Sequence, residues 1–293
     1  MKEIVIISGK GGTGKTSVTA AFASLAQRLV LVDCDVDAAD LHLVLTPTIR
    51  ETHEFHGGKT ARIVPDACRR CGVCEDVCRF GAVSRVDPAS AWEIDPVVCE
   101  GCGVCAHFCP HQAILFEEAL NGHWFHSDTR VGPMIHARLG VAEENSGKLV
   151  ALIRREARAV AEAQGADVIL VDGPPGIGCP VIASLSGADH VVIVTEPTVS
   201  GMHDMERVIT LANHFHVPTS VIINKADLNP ANAAEIARYA QLHESGLLGE
   251  IPYDPVITRA QLTGQSVVEY GDNPASDALR AIWHRLTQQL TKE

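Results

Sequence analysis

The chain has 293 residues, 46% hydrophobic and 20% charged, with a formal net charge of −12. That composition belongs to a globular protein with room for one large α/β domain or two smaller ones. The acidic balance disfavours non-specific nucleic-acid binding, which depends on neutralising phosphates, and an aromatic content of 4% argues against an extended base-stacking surface.

Met1-Lys2-Glu3 leads straight into an apolar stretch with none of the features of a signal peptide. No apolar run approaches the ~20 residues that span a bilayer. The expectation is a cytoplasmic protein. Glu3–Ser8 (EIVIIS) predicts a buried strand. It feeds Gly9-Lys10-Gly11-Gly12-Thr13-Gly14-Lys15-Thr16, a Walker A sequence followed by Ser17. In such a loop, backbone N–H groups and a helix N-terminus surround phosphates. Lys15 is expected on the β- and γ-phosphates and Thr16 on Mg²⁺, with Gly9 through Ser17 as the binding stretch. Thr16–Gln27 predicts a helix and Arg28–Asp33 a second strand. Strand, loop, helix, strand is a βαβ unit, which implies a parallel sheet with a right-handed crossover.

From about Lys59 to Phe116 this rhythm breaks, and two matched cysteine runs appear: Cys68-x2-Cys71-x2-Cys74-x3-Cys78 and Cys99-x2-Cys102-x2-Cys105-x3-Cys109-Pro110. This is the ligand spacing for two 4Fe–4S clusters in the manner of bacterial ferredoxins, where the fourth cysteine of each run serves the other cluster. The first cluster would then take Cys68, Cys71, Cys74 and Cys109, and the second Cys99, Cys102, Cys105 and Cys78. Gly72, Gly101 and Gly103 would let backbone amides turn towards the sulfurs. The first run ends Cys78-Arg79, a departure from the Cys-Pro of the ferredoxin pattern. Zinc is the alternative metal for C-x2-C pairs, and the tandem four-cysteine runs favour iron–sulfur. Regular spacing without an export signal argues for reduced thiols rather than disulfides. So small a unit has little apolar core, so bound metal must supply much of its folding energy. The expected domains are 1–58 and 118–293 for the α/β part and 59–117 for the insert.

The α/β rhythm then returns. Gly147–Gln164 predicts a helix, and Ala166–Val171 a strand ending in Asp172. Further strands are expected at His190–Val194, Thr219–Ile223 and Leu247–Ile251, and helices near Gly201–His214, Ala231–His243 and Ala275–Leu290. In the last of these, Leu279, Ile282, Trp283, Leu286 and Leu290 recur at helical spacing. A membrane-surface helix would carry such a face, but few basic residues follow and Glu293 closes the chain, so a helix packed on the sheet is expected. Cys34 and Cys179 are expected as buried structural cysteines. Asp37, Asp40 and His203 are expected at the surface.

The loop KGGTGKT, with its second lysine Lys10, resembles the deviant Walker A loop of the MinD/ParA superfamily. The resemblance implies that Lys10 reaches a partner subunit's nucleotide and that ATP brings two subunits face to face. Val32-Asp33-Cys34-Asp35-Val36-Asp37 resembles the family's switch I, which implies that Asp35 orients the attacking water and helps hold Mg²⁺. Asp172-Gly173-Pro174-Pro175-Gly176-Ile177-Gly178 resembles switch II, with Asp172 as the Walker B acid and Gly173 and Gly176 as points of rearrangement. Asn224-Lys225-Ala226-Asp227 and Ile251-Pro252-Tyr253-Asp254 resemble the two base-binding elements. They implicate Asn224, Lys225, Asp227, Pro252 and Asp254. N-K-x-D also occurs in GTPases, and the family resemblance favours ATP.

The whole chain resembles members of this superfamily that contain an inserted ferredoxin domain. Cys99-Glu100-Gly101-Cys102-Gly103, Glu144-Asn145-Ser146-Gly147-Lys148-Leu149-Val150 and Gly176-Ile177-Gly178-Cys179-Pro180 carry that match. The implied fold is an α/β P-loop NTPase with a mainly parallel sheet, helices on both faces and a small bacterial-type ferredoxin insert. The implied activity is Mg²⁺-dependent ATP hydrolysis by positioning and electrostatics through Lys10, Lys15, Asp35 and Asp172, coupled to electron transfer. A MinD-like positioning ATPase and an iron–sulfur or metal-cluster delivery protein are the alternatives. The implied cofactors are ATP, Mg²⁺ and two 4Fe–4S clusters. The implied partners are a second copy of the chain and a protein electron donor, acceptor or cluster recipient. Neither nucleic acid nor a membrane is expected.

Overall fold

The apolar N-terminal run forms β1 (Lys2–Ser8), and the glycine loop after it opens α1 (Lys15–Leu25). Then come β2 (Leu29–Asp33), α2 (Leu41–Leu45) and the exposed β3 (Thr48–Phe55). The cysteine-rich stretch holds β4 (Gly58–Ile63), α3 (Val73–Asp76), β5 (Val83–Ser84), β6 (Glu93–Ile94), α4 (Val104–Phe108) and β7 (Ile114–Ala119). The chain continues through β8 (Gly122–Asp128), β9 (Pro133–Leu139), α5 (Ser146–Gln164), β10 (Val168–Pro175), α6 (Cys179–Leu185), β11 (His190–Thr195) and α7 (Val199–His214). It ends with β12 (Thr219–Asn224), α8 (Pro230–Leu242), β13 (Gly246–Ile251), α9 (Val256–Leu262), α10 (Val267–Tyr270) and α11 (Pro274–Leu290).

The computed structural model describes residues 1–85, 87–140 and 146–291. Glu144, Asn145 and Glu293, quoted above, lie outside the described residues. The chain divides into two compact units. The first comprises Met1–His53, Trp124–Arg138 and the chain from Ser146 onward; the second comprises Glu54–His123 and the short stretch starting at Leu139.

Among the described residues the main sheet has nine strands in the order β13-β12-β11-β1-β10-β2-β9-β8-β3. The pairings from β13 through β9 are all parallel. The innermost strands are continuous apolar runs, as strands covered on both faces must be. Ile4 and Ile6 of β1 pack with Phe22 of α1 and with Leu279, Ile282 and Leu286 of α11. Val5 and Ile7, directed to the opposite face by the strand's two-residue period, are equally buried. The C-terminal apolar stripe is therefore core: Trp283 stands 5.0 Å from the Phe22 ring, and burying a Leu or Ile contributes roughly 1.5–3 kcal/mol. No helix among the described residues is long and apolar enough to cross a membrane.

β3, β8 and β9 were not expected from the sequence. β3 reads TIRETHEF and is exposed along most of its length, so it lacks the alternating apolar signal of a half-buried strand. On β9, His136 is buried beside Ser127 (Nε2 to Oγ, 2.9 Å), and burial lowers its pKa to about 4. A base held neutral by folding contributes stability that is present above its unfolded pKa and lost as pH falls through the folded value. Stability should therefore fall by about 3 kcal/mol between pH ~6.5 and ~4 from this residue alone. Thermal melts of the His136→Gln variant across that range should show the acid-side slope flattened; an unchanged slope would remove His136 as its source.

In the second unit β4 pairs antiparallel with β7, and β5 with β6. A small core of Ala61, Ile63, Cys74, Val83, Trp92 and Cys105 lies between them. The two cysteine runs repeat at an offset of 31 residues, and the backbone repeats with them. Arg70 and Gly101 both have positive φ (61° and 58°), as do Gly72 and Gly103 (84° and 73°) and Gly81 and Gln112 (69° and 50°). At Gly101 glycine is obligatory, because a Cβ there would lie 2.1 Å from the Lys59 carbonyl oxygen.

Candidate functional site

β1 ends inside the sheet, and Ser8 Oγ donates to the Lys10 carbonyl (2.7 Å), which sets the start of the glycine loop. Gly14, at φ +90°, lies so close to Asn224 that a Cβ would stand 2.3 Å from the amide nitrogen. Asn224 Nδ2 donates to the Thr13 carbonyl (2.7 Å), fastening the loop to the end of β12. The Thr13 hydroxyl is buried with no hydrogen-bond partner from the described residues, an unsatisfied group in a loop of phosphate-binding type. Ser17, in the first turn of α1, accepts from Gln261 Nε2 (2.8 Å).

Lys15 is buried at the centre of an acidic group. Its Nζ donates to Asp172 Oδ1 (3.1 Å) and lies 3.5 Å from Asp35 Oδ2. Asp172 also accepts from Thr16 Oγ1 (2.8 Å, at Oδ2) and Thr19 Oγ1 (2.8 Å, at Oδ1). Asp33, fully buried, accepts the backbone N–H groups of Asp35 (3.1 Å) and Leu41 (3.3 Å). Burial raises the pKa of Asp33, and the charge of Asp172 adds to it. Burial also raises Asp35, against the pull of Lys15. Burial works to lower Lys15, but the charges of Asp172, Asp35 and Asp33 outweigh it and hold the pKa above the usual lysine value. One cation among three carboxylates leaves a negative site with a hydroxyl at its edge. That donor set, Thr16 with Asp35 and Asp172, suits Mg²⁺, a hard cation with oxygen ligands.

The sequence reading left Asp33, Thr19 and Glu196 without a role. Thr19 was detectable as the i+4 neighbour of Lys15 on α1. Glu196 carried no sequence signal. It lies between Lys10 Nζ (3.4 Å to Oε2) and Lys225 Nζ (2.5 Å to Oε1), and Lys10 also donates to Ser200 Oγ (3.3 Å). Asp227 Oδ1 accepts the Tyr253 N–H (2.6 Å), and Asp254 Oδ1 accepts the Val256 N–H (2.9 Å). The first of these bonds joins the two elements that resemble base-binding loops, the second is a local turn within one of them, and Asp227 and Pro252 line a common cavity of about 350 Å³.

Two expectations around switch II need correction. Asp172 through Pro175 belong to β10, and a Cβ at Gly173 would meet Ile7 Cγ2 at 2.4 Å. Close packing therefore accounts for that glycine, whereas Gly176 has φ +90° and open space around it. Cys179, the first residue of α6, is exposed rather than buried; Cys34 is buried as expected. Asp37, Asp40 and His203 are exposed.

In the second unit, one cavity is lined by Cys68, Cys71, Cys74 and Cys109, and another by Cys99, Cys102, Cys105 and Cys78. Each cavity thus draws three cysteines from one run and the fourth from the other. Among the described residues no group of three or more His, Cys, Asp or Glu is placed to hold a single metal ion. Trp92 lines the first cavity; it is 5% exposed, and its indole N–H has no hydrogen-bond partner among the described residues. A buried donor without an acceptor, beside four thiols, fits a group that carries acceptor atoms.

A family model for the CobQ/CobB/MinD/ParA nucleotide binding domain matches residues 4–267. An uncharacterized protein of Methanocaldococcus jannaschii is 35% identical over 242 residues, spanning 78% of this chain and 80% of the relative. The septum site-determining protein MinD of Bacillus subtilis is 26% identical over 292 residues, spanning 97% of this chain and 88% of its own length. Among solved structures, MinD of Pyrococcus horikoshii in complex with Mg-ADP superposes with a TM-score of 0.59 at 18% identity, covering 99% of this chain and 97% of that one. That likeness is one of fold.

Proposed function

The chain belongs to the CobQ/CobB/MinD/ParA nucleotide-binding domain family, and from that premise we propose that it is an ATP-hydrolysing, two-cluster iron–sulfur protein in which nucleotide-driven dimer switching is coupled to electron transfer. The observation that carries the iron–sulfur part is the pair of cavities, each lined by four cysteines in the crossed grouping. Two 4Fe–4S clusters in them would supply one-electron transfer. Cys68, Cys71, Cys74 and Cys109 would hold one, and Cys99, Cys102, Cys105 and Cys78 the other.

At the nucleotide site the chain's own residues would act by position and charge. Lys15 now neutralises Asp172 and Asp35; a bound triphosphate with Mg²⁺ would draw its ammonium towards the phosphates and leave those carboxylates facing the cation. Thr16 would turn its hydroxyl from Asp172 to the metal. Asp35, two residues beyond the end of β2, would orient the attacking water. Lys10 rests on Glu196 and Ser200 of its own chain. Action across a dimer interface requires it to leave them.

The test begins with anaerobically prepared protein, which should contain about eight iron and eight sulfide per chain and hydrolyse ATP with Mg²⁺. Stoichiometric zinc with little iron would sink the iron–sulfur part. ATP should shift sedimentation from monomer to dimer, and Lys10→Ala should weaken that shift; equal masses with and without ATP would contradict dimer switching. Coupling requires cluster potentials, or electron-transfer rates to a copurifying partner, to differ between ADP and a non-hydrolysable ATP analogue. If neither differs, the positioning ATPase is the better reading.

A further inference from the structure

The two cysteine cavities share one backbone plan but differ in charge. Arg69 lines the first, and Glu100, its counterpart 31 residues on, lines the second. Each follows the first cysteine of its run. The unpartnered Trp92 indole N–H belongs to the first cavity. Two of the first cavity's sulfurs accept backbone N–H groups: Cys68 from Arg70 (3.4 Å) and Cys109 from Ala113 (3.3 Å). Solvent exposure does not separate the sites. Cys71 and Cys102 are both exposed, and Cys74 and Cys105 are 7% and 9% exposed. Other basic side chains are found beside both: Arg85 lies over the Trp92 ring (4.5 Å) and His111 lines the first cavity, while Arg79 lies over Phe80 (5.6 Å) and Lys59 over Phe116 (5.4 Å), the ring packed against Gly103 of the second.

Cations and hydrogen-bond donors near a cluster stabilise its reduced, more negative form, whereas a carboxylate opposes it. We infer that the site of Cys68, Cys71, Cys74 and Cys109 has the higher reduction potential of the two, set by Arg69 against Glu100 and by the Trp92 N–H. An electron shared between the sites then rests mainly on the first. This inference rests on the two-cluster reading above.

The experiment is an anaerobic redox titration of the full chain followed by electron paramagnetic resonance. Two reduction steps are expected, separated by at least a tenfold preference in the one-electron equilibrium, about 59 mV. Cys71→Ser should remove the upper step. Trp92→Phe keeps the ring and removes the donor, so it should lower the upper potential and leave the lower one in place. Arg69→Glu combined with Glu100→Arg, both at exposed positions, should narrow or invert the separation. One common potential, or a separation unmoved by Trp92→Phe and by the charge exchange, would overturn the inference while iron and sulfide content keep the two-cluster reading intact. A chain that takes up no iron would overturn both.

Discussion

Lys15→Ala should abolish nucleotide binding and, in the same step, destabilise the empty protein by about 3–5 kcal/mol near neutral pH, the cost of stripping the partner from a buried charge pair. Lys15 is 6% exposed and is the cation that Asp172 and Asp35 face. Without it, Asp33, Asp35 and Asp172 repel one another in a dry site. The two effects are separable by pH. Asp33 and Asp35 already have raised pKa values in the folded state. Groups raised in this way contribute stability that is fully present below their unfolded value, near pH ~4, and lost as pH rises through the folded values. Removing the lysine raises them further, so the variant's deficit should grow from weakly acidic to alkaline pH and shrink in acid. Adding Asp172→Asn to Lys15→Ala should recover stability without restoring binding. Calorimetric titration with Mg-ATP and thermal melts at two pH values read both effects. A variant that binds ATP at wild-type affinity, or a deficit identical at both pH values, would refute the account.

Cys109→Ser should remove the same iron–sulfur centre as Cys71→Ser, although Cys109 belongs to the other run. Each change should take about four of about eight iron atoms and leave the same residual paramagnetic signal. Cys78→Ser and Cys102→Ser should share the complementary signal. The reason is the composition of the two cavities: Cys109 faces Cys68, Cys71 and Cys74, while Cys78 faces Cys99, Cys102 and Cys105. ATP binding should survive all four substitutions, because the nucleotide-site residues belong to the other compact unit. A Cys109→Ser signal that matched Cys102→Ser would mean that each run binds its own cluster, and the crossed grouping would be wrong.

The parallel sheet was legible wherever burial was complete on both faces. The runs EIVIIS, ADVILV and TSVIIN are mostly apolar because strands covered on both faces bury nearly every side chain, and each overlaps a strand of the sheet. The edge was not legible: β3 is held by backbone pairing while its side chains stay in water, so its sequence reads as a polar loop. The glycine loop announced Lys15 and Thr16, since a phosphate cradle constrains consecutive residues. Glu196 could not be read in the same way, because its meeting with Lys10 and Lys225 joins three distant chain segments.

By itself, then, the sequence determined what depends on local order: strand, glycine loop and helix, two cysteine runs in register, and apolar stripes at helical spacing. The tertiary structure alone decided what depends on chain crossings. It buried Asp33 beside Asp172 and left Cys179 in solvent. It made Gly173 a packing requirement against Ile7 and set Trp92's unpaired donor beside four cysteines. Burial and partnership are properties of what folds on top of a residue, and neighbours in the chain do not encode them.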